Sequence, residues 1–333
     1  MSGELPAPRA SPSARCSSRD TEYLCATSSV ALVFPGQGTQ YVGMGHDLCE
    51  QYAVARAVFA QADAVLERSL STLCFHGPEE ELNDTANAQP AIVTMSMAAL
   101  AVLQEKLEGK LAPAFVAGHS LGEYTAWLAA GVLDLPAGLQ LVRERGRVMS
   151  EAGEKHPGAM AAVLGMDVAA LQAVCAEVGN VWVANDNSPG QLVLSGSKPA
   201  LERALQLAMG RGAKRTVPLA VSIAGHSPLM APAAEAFAPT VNRVPLAKAE
   251  IPVVANVTAL PLAEPAEIRQ EMLQHLTAGV RWVDSVRCMI DHGVQTFVEV
   301  GPKDVLCGLI RRIDRSVRTV HVGTAADVET LGA

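Results

Sequence analysis

A short motif in the first half of the chain has the composition of a nucleophilic turn. Residues 118–123 read Gly-His-Ser-Leu-Gly-Glu, after an apolar run at 114–117 and before a stretch compatible with a helix. This context predicts a sharp strand-to-helix turn that exposes the Ser120 hydroxyl, with glycines on both sides because the backbone is crowded there. The amide N–H of Leu121 would then point at an oxyanion formed beside Ser120. A tight turn with a capping serine is the alternative interpretation.

A nucleophilic serine needs a base, and histidine is the usual one because its pKa lies near neutrality. His119 adjoins Ser120, but neighbouring side chains on such a turn point in different directions. His226 lies just before a predicted helix that begins at Pro228 and beside a predicted interdomain cleft. We therefore take His226 as the candidate base. Five other histidines lie in polar or loop contexts that predict solvated side chains: His46, His76, His156, His292 and His321.

The composition excludes several classes of protein. A net charge of −8 disfavours a nucleic-acid or anionic-membrane surface, because both need a basic excess. The seven cysteines include no Cys-x-x-Cys pair, which indicates reduced intracellular thiols and no disulfide framework. The longest apolar stretch, 91–103, is too short to span a bilayer. We expect a cytoplasmic protein without a metal, a nucleic-acid partner or a membrane segment.

The elements that must position these residues follow an α/β pattern. The first half predicts a strand at 30–34, helices at 54–66 and 90–107, the 114–117 strand with its helix, and a helix through 136–152 capped by Asp134. Elements then follow in the order βαββαβ, the split unit of a ferredoxin-like subdomain, at 159–164, 167–178, 181–185, 191–195, 198–209 and 214–219. Longer units resume with a helix from Pro228, a strand at 252–255, helices across 264–291, a strand at 296–300, a helix from Lys303 and a strand at 318–322.

These patterns predict a division of the chain into four parts. We expect a disordered leader at 1–29, a core made of 30–153 and 223–323, an inserted subdomain at 154–222, and a tail at 324–333. Because aromatic residues make up only 4% of the chain, the core must be built mainly from aliphatic side chains, which suits helices packed on a parallel sheet.

Seven motifs, in order, resemble those of the malonyl-CoA:acyl carrier protein transacylases and the related acyltransferase domains of polyketide synthases. They are FPGQGTQ at 34–40, GHSLGEY at 118–124, RG at 145–146, NSPGQ at 187–191, GAKR at 212–215, HSPLM at 226–230 and EVGP at 299–302. The resemblance runs from about Val30 to about Gly323. It implies an α/β-hydrolase-like core with a parallel sheet and an inserted ferredoxin-like (βαββαβ) subdomain.

The resemblance also implies roles for individual residues. Ser120 would be the nucleophile and His226 its base. The amides of Gln40 and Leu121 would form the oxyanion hole. Arg145 would pair with the free carboxylate of the malonyl group, which a planar guanidinium can hold through two parallel hydrogen bonds.

Further roles are implied around these residues. A main-chain carbonyl, here that of His275, would orient His226, and the side chain at 275 would be free to vary. Asn187 and Asn256 would support the substrate site. Gly225 stands where malonyl-selective polyketide acyltransferases usually have Phe and methylmalonyl-selective ones Ser, so the resemblance implies tolerance of α-substituted units. Leu121, after the nucleophile, matches the freestanding transacylases that use malonyl, so we expect malonyl as the main substrate.

The implied reaction moves a malonyl group from malonyl-CoA to the phosphopantetheine thiol of an acyl carrier protein, with no cofactor, for fatty acid or polyketide synthesis. We expect a monomer that docks the acidic carrier protein on basic residues such as Arg211, Lys214 and Arg215. Three alternatives remain open: a trans-acting polyketide acyltransferase with an α-substituted unit, an editing acyl hydrolase, and a non-catalytic docking module.

Overall fold

The computed structural model describes residues 29–331. The predicted leader, as far as residue 28, and the last two residues of the predicted tail lie outside the described residues.

Within the described range, ten strands form two sheets. They are β1 (Val30–Phe34), β2 (Phe115–Gly118), β3 (Gly158–Leu164), β4 (Val181–Ser188), β5 (Gln191–Ser197), β6 (Arg215–Pro218), β7 (Val253–Val254), β8 (Pro261–Leu262), β9 (Thr296–Val300) and β10 (Arg318–Val322). The helices of the described residues are His46–Gln51, Ala53–Leu66, Leu70–His76, Glu79–Asn83, Thr85–Lys106, Gly122–Ala129, Leu135–Lys155, Val168–Val178, Lys198–Gly210, Ala231–Arg243, Pro265–Gln274, Trp282–Asp291, Val305–Ile313 and Ala325–Thr330, with a 3₁₀ turn at Pro228–Met230.

The larger sheet has the order β10-β9-β1-β2-β7-β8 and is parallel except for the final antiparallel pair. Side chains of β1 alternate between two apolar clusters, with Leu32 on one face and Val33 on the other, so helices cover both faces. In the register of β1 and β2, Phe34 lies opposite Gly118. The loops that follow these two strands therefore leave the same edge of the sheet side by side.

The smaller sheet is antiparallel, with the order β4-β5-β3-β6 and two helices, Val168–Val178 and Lys198–Gly210, packed on one face. Its elements follow one another as βαββαβ, in the predicted chain order. It is joined to the rest of the protein by main-chain hydrogen bonds of Val280, whose N–H donates to Ala184 and whose carbonyl accepts from Asp186. The other face of this sheet, with Met160, therefore packs towards the main body.

The helix predicted to begin at Pro90 begins earlier, at Thr85. Asp84 caps it by accepting a hydrogen bond from the amide of Ala86, at 2.8 Å. Pro90 lies inside the helix, where it removes one backbone donor, and the buried apolar face of the helix outweighs that loss. By length and composition Thr85–Lys106 could cross a membrane, but 78% of its apolar window is buried inside the protein.

Two other boundaries differ from the prediction. The strand predicted at 181–185 continues to Ser188 and leaves a two-residue turn, because two bulges let β4 pair with β5 despite its polar side chains. The predicted tail, as far as residue 331, contains the helix Ala325–Thr330, which a capping box of Thr324 and Asp327 starts.

The turn after β2 explains both glycines of the motif. A Cβ added at Gly118 would lie 1.9 Å from the carbonyl carbon of Gly122, and one added at Gly122 would lie 2.0 Å from the carbonyl oxygen of Phe34. Both are impossible contacts with backbone, which cannot move aside as a side chain can.

We therefore expect Gly122→Ala to lower the free energy of unfolding by at least the 1–3 kcal/mol or so that is typical of overpacking. Gly308→Ala is the matched control. It lies inside the helix Val305–Ile313 with open space around its added methyl group, and should raise stability by about 0.4–1 kcal/mol. Urea denaturation of both variants checks this, and equal effects would contradict the crowding argument.

Candidate active site

The turn between β2 and the helix Gly122–Ala129 holds Ser120 in the left-handed region, at a φ of 51°. A non-glycine residue adopts this conformation only when its surroundings impose it. The amide of His119 donates to the carbonyl of Phe34 at 3.0 Å, which fixes the turn against β1. The turn thus leaves Ser120 half-buried at the edge of the sheet.

Ser120 and His226 are in direct contact. The Oγ of Ser120 lies 2.7 Å from Nε2 of His226, and Nδ1 of His226 lies 3.1 Å from the carbonyl oxygens of both His275 and Ala278. Since carbonyl oxygens only accept, Nδ1 must carry the proton. Nε2 is then left free to accept the proton of the Ser120 hydroxyl, which is the arrangement of a nucleophile and its base.

The surroundings keep His226 uncharged. Burial lowers the pKa of His226 to about 3, with further lowering by the positive charge of Arg145 and by His119. Hydrogen bonds to the two carbonyls act in the opposite direction but do not compensate. At neutral pH the imidazole is therefore a neutral proton acceptor.

Arg145 is a buried cation beside the nucleophile. It is 1% exposed, its Nη1 donates to Oε1 of Gln89 at 2.9 Å, and its Nη2 lies 3.4 Å from the Oγ of Ser120. Its guanidinium lies over the ring of Tyr124, 5.2 Å from the centroid, and its Nε has no acceptor in the part of the chain that the structure describes. No carboxylate among the described residues forms an ion pair with it. A buried, unpaired guanidinium is a binding site for an anion, and a planar carboxylate fits it best.

Two main-chain amides at the same sheet edge are available to an oxyanion. The amides of Gln40 and Leu121 donate to no acceptor within residues 29–331. The side chain of Gln40 is engaged elsewhere, because its Oε1 accepts from the amide of Gly38 and its Nε2 donates to Asn83, both at 2.8 Å. The backbone amide of Gln40 is thus free to bind a substrate oxygen.

Asn256 contacts the turn itself. Its Oδ1 accepts from the amide of Ser120 and its Nδ2 donates to the carbonyl of Gly118, each at 2.7 Å. These two hydrogen bonds hold the turn in place, and the support of the substrate site by Asn256 stays a prediction.

Asn187 and Gly225 lie beside the dyad. The Oδ1 of Asn187 is 2.7 Å from Nε2 of His119, which connects the smaller sheet to the turn and keeps His119 away from Ser120. A Cβ added at Gly225 would meet the Sδ of Met160 at 3.5 Å, an ordinary contact, so the backbone there does not require glycine.

Three contributions to the site escape the sequence analysis. Gln89 orients Arg145, and its signal is a polar residue inside a helix that is otherwise buried and apolar. Glu123 belongs to the GHSLGEY motif, but no role is predicted for it from the sequence; the structure buries it completely. The side chain of His275, expected to vary freely, is 1% exposed and lies 3.1 Å from Glu123. Within the described residues no cluster of side chains has the arrangement of a metal site.

A family model, the acyl transferase domain, matches residues 31–329. The malonyl CoA-acyl carrier protein transacylase of Bacillus subtilis strain 168 is 44% identical over 306 residues, which cover 91% of this chain and 96% of that protein. The transacylase of Escherichia coli K12 is 43% identical over 286 residues, which cover 85% of this chain and 92% of that one. The chain belongs to the malonyl-CoA:acyl carrier protein transacylase family.

Solved structures of this transacylase family match the whole fold. The acyl carrier protein S-malonyltransferase of Vibrio cholerae superposes with a TM-score of 0.88 at 41% identity, covering 91% of this chain and all of that one. The malonyl transacylase PlMCAT, solved in complex with the type II PKS acyl carrier protein AntF, superposes with a TM-score of 0.88 at 40% identity, covering 91% of this chain and 99% of that chain.

The environment of His226 generates a prediction about pH. In ¹⁵N-histidine NMR, assigned with a His226→Gln variant, we expect His226 to remain the neutral Nδ1–H tautomer at pH 5, where an unperturbed histidine is protonated. Arg145→Ala should raise the pKa of His226, because it removes a cation that disfavours the protonated ring. Titration of wild-type His226 near pH 6.5 would contradict this account.

Proposed function

We propose that this chain transfers a malonyl group from malonyl-CoA to the phosphopantetheine thiol of an acyl carrier protein, in two steps through Ser120. The observation that carries the proposal is the buried guanidinium of Arg145, which has no carboxylate partner within residues 29–331 and lies 3.4 Å from the Oγ of Ser120. A malonyl thioester offers a free carboxylate close to its reacting carbonyl. Ser120 can therefore attack the thioester carbonyl while Arg145 binds the carboxylate of the same substrate.

In the first half-reaction, the Oγ of Ser120 attacks the thioester carbonyl of malonyl-CoA while Nε2 of His226 takes the hydroxyl proton. The negative charge on the tetrahedral oxygen is stabilised by the amides of Gln40 and Leu121. The C–S bond then breaks, and the CoA sulfur leaves with the proton held by His226. The product is a malonyl ester on Ser120, whose carboxylate stays paired with Arg145.

In the second half-reaction, the thiol of the carrier protein enters where CoA left. His226 takes its proton, the thiolate attacks the malonyl ester, and the Ser120 oxygen recovers the proton as it leaves. We expect no cofactor and no metal, since each proton moves between Ser120, His226 and a thiol. The carbonyls of His275 and Ala278 keep the proton on Nδ1 throughout.

We also propose the finer description of the fold: a core of the α/β-hydrolase type at 30–153 and 223–323, with a ferredoxin-like subdomain inserted at 154–222. The parallel sheet order and the βαββαβ order of the smaller sheet support it. The active site then lies at the carboxyl edge of the larger sheet, where the smaller sheet contributes Asn187 and Met160.

Partners and location follow from this function. The relatives named above support malonyl-CoA and an acyl carrier protein as partners, and one of them is solved with such a carrier. We expect a cytoplasmic monomer that serves fatty acid or polyketide synthesis. Of the three basic residues expected to dock the carrier, Arg211 forms an ion pair with Glu177, which leaves Lys214 and Arg215 as the stronger candidates.

Retention of a buried Arg145 favours transfer over an editing hydrolase, because a hydrolase that clears simple acyl groups has no use for a buried cation. The contact between Ser120 and His226 favours an enzyme over a docking module.

Arg145→Ala tests the proposed function. Leaving the malonyl carboxylate buried and unpaired should cost about 2–5 kcal/mol, whereas an acetyl group leaves nothing unpaired. Malonyl transfer should therefore fall by roughly 30- to 5000-fold, while acetyl transfer rises relative to it. Intact-mass spectrometry after incubation with each CoA ester gives the ratio.

Two variants serve as controls for Arg145→Ala. Arg143→Ala removes an exposed arginine of the same helix and should change neither rate. Ser120→Ala should take up neither acyl group. A parallel fall of both substrates in Arg145→Ala would make Arg145 structural and would remove the main support for the proposal.

Gly225→Phe tests substrate selectivity. A large side chain beside His226 should fill space next to the substrate α-carbon and disfavour methylmalonyl-CoA over malonyl-CoA by about 1–3 kcal/mol. Gly225→Ala, whose methyl group fits against Met160, is the matched control and should change selectivity less. A wild type that already excludes methylmalonyl-CoA as fully as the Phe variant, in a competition assay, would show that Gly225 does not set the pocket.

A further inference from the structure

Three titratable side chains are buried directly behind the dyad, and no step of the proposed reaction uses them. Glu123 is 0% exposed, His275 is 1% exposed and Glu271 is 3% exposed. Burying a titratable group is unfavourable unless the group is neutral or has polar partners that replace its hydrogen bonds to water. Their contacts therefore indicate what they do.

The side chain of His275 is fixed on several sides. Its Nε2 lies 3.1 Å from Oε2 of Glu123, and its ring makes edge contacts with Tyr124, Trp127 and His226 at centroid distances of 5.4, 6.3 and 5.5 Å. The carbonyl of this same residue accepts from Nδ1 of His226. Whatever fixes the side chain of His275 therefore also fixes an oxygen that orients the base.

Glu123 also contacts Asn256, the residue that holds the turn of the nucleophile. Its Oε2 accepts from the amide of Asn256 at 3.3 Å, and the side chain of Asn256 holds the amide of Ser120 and the carbonyl of Gly118. Glu123 itself belongs to the first turn of the helix that follows Ser120. Glu123 thus contacts both the support of the nucleophile and the residue that orients the base.

The charge state of the pair agrees with its burial. Burial raises the pKa of Glu123, as does the nearby Glu271, and Arg145 opposes them only in part. Burial lowers the pKa of His275, and the positive charge of Arg145 and the neighbouring His226 and His119 lower it further. A neutral carboxyl group next to a neutral imidazole carries no net charge, so the pair avoids the large desolvation penalty of two buried ions.

We propose that Glu123 and His275 are positioning residues for acyl transfer, because their contact ties the carbonyl that orients His226 to the helix that carries Ser120. The role rests on the proposed function of the same site. Among the described residues, Nδ1 of His226 contacts carbonyl oxygens and no carboxyl group. Glu123 acts on His226 indirectly: it contacts the side chain of His275, and the main-chain carbonyl of His275 orients His226.

His275→Leu and His275→Gln form the test, because leucine removes the polar contact with Glu123 at similar size and glutamine retains it. We expect His275→Leu to fold and to lower kcat for self-malonylation by about 10- to 100-fold with little change in KM, since a misplaced base slows the reaction and leaves binding intact. His275→Gln should restore most of the rate. Glu123→Met should reproduce the loss seen in His275→Leu.

Two readouts separate positioning from a general loss of structure. The ¹⁵N signals of His226 should lose the single Nδ1–H tautomer in His275→Leu and keep it in His275→Gln. Thr125→Val is the matched control. Thr125 lies in the helix Gly122–Ala129, as Glu123 does, and its buried hydroxyl has no hydrogen-bond partner within residues 29–331. Its loss should leave both the rate and the tautomer unchanged.

The proposal is overturned if His275→Leu acylates at the wild-type rate with its tautomer intact, if His275→Gln loses as much as His275→Leu, or if Thr125→Val loses rate equally. Failure of the proposed function is recognised separately, as a wild type that takes up no malonyl group while the tautomer readout of His226 still responds to His275→Leu.

Discussion

The site depends on one close backbone approach, that of the turn after β2 to the end of β1. Glycine at 118 and 122 lets the chain reverse against the carbonyl of Phe34, and Ser120 is forced into a left-handed conformation as a result. Ser120 then faces His226, and its neighbouring amide at Leu121 stands free at the same edge. Strain at Ser120 is thus compensated by the packing of the surrounding sheet.

A second constraint is electrostatic. The guanidinium of Arg145 is held in a low-dielectric site by Gln89 and by the ring of Tyr124, without a counter-ion among the described residues. Its charge disfavours protonation of His226, which keeps the base ready, and it also provides the attraction for a substrate carboxylate. One buried cation therefore keeps the base neutral and also favours a substrate that carries a carboxylate. The neutral pair of Glu123 and His275 adds no opposing charge nearby.

Much of this arrangement is predictable because its signals are local. The strands at 30–34, 296–300 and 318–322 have the predicted bounds, since short apolar runs between turn-forming residues define them. Ser120 and His226 follow from a motif and from a position at a helix start.

Arg145 is different, because Arg143 and Arg147 beside it suggest a solvated surface. A signal nevertheless exists in its spacing. Arg145 lies four residues from both Leu141 and Met149, on the buried face of its helix, whereas Arg147 pairs with Glu144 and Glu151 at the surface. The contact between Glu123 and His275 joins residues more than 150 positions apart, and no local pattern predicts such a contact.

The central claim is that Ser120 carries the malonyl group between two thiols. A pulse and chase tests it most directly: incubation with malonyl-CoA, removal of free thioester, peptide mapping by mass spectrometry, and addition of a phosphopantetheinylated acyl carrier protein. The account predicts a malonyl ester on Ser120 that persists in buffer and moves to the carrier thiol when the carrier is added. Rapid loss of the ester to water without carrier, or its absence from Ser120, would contradict the account.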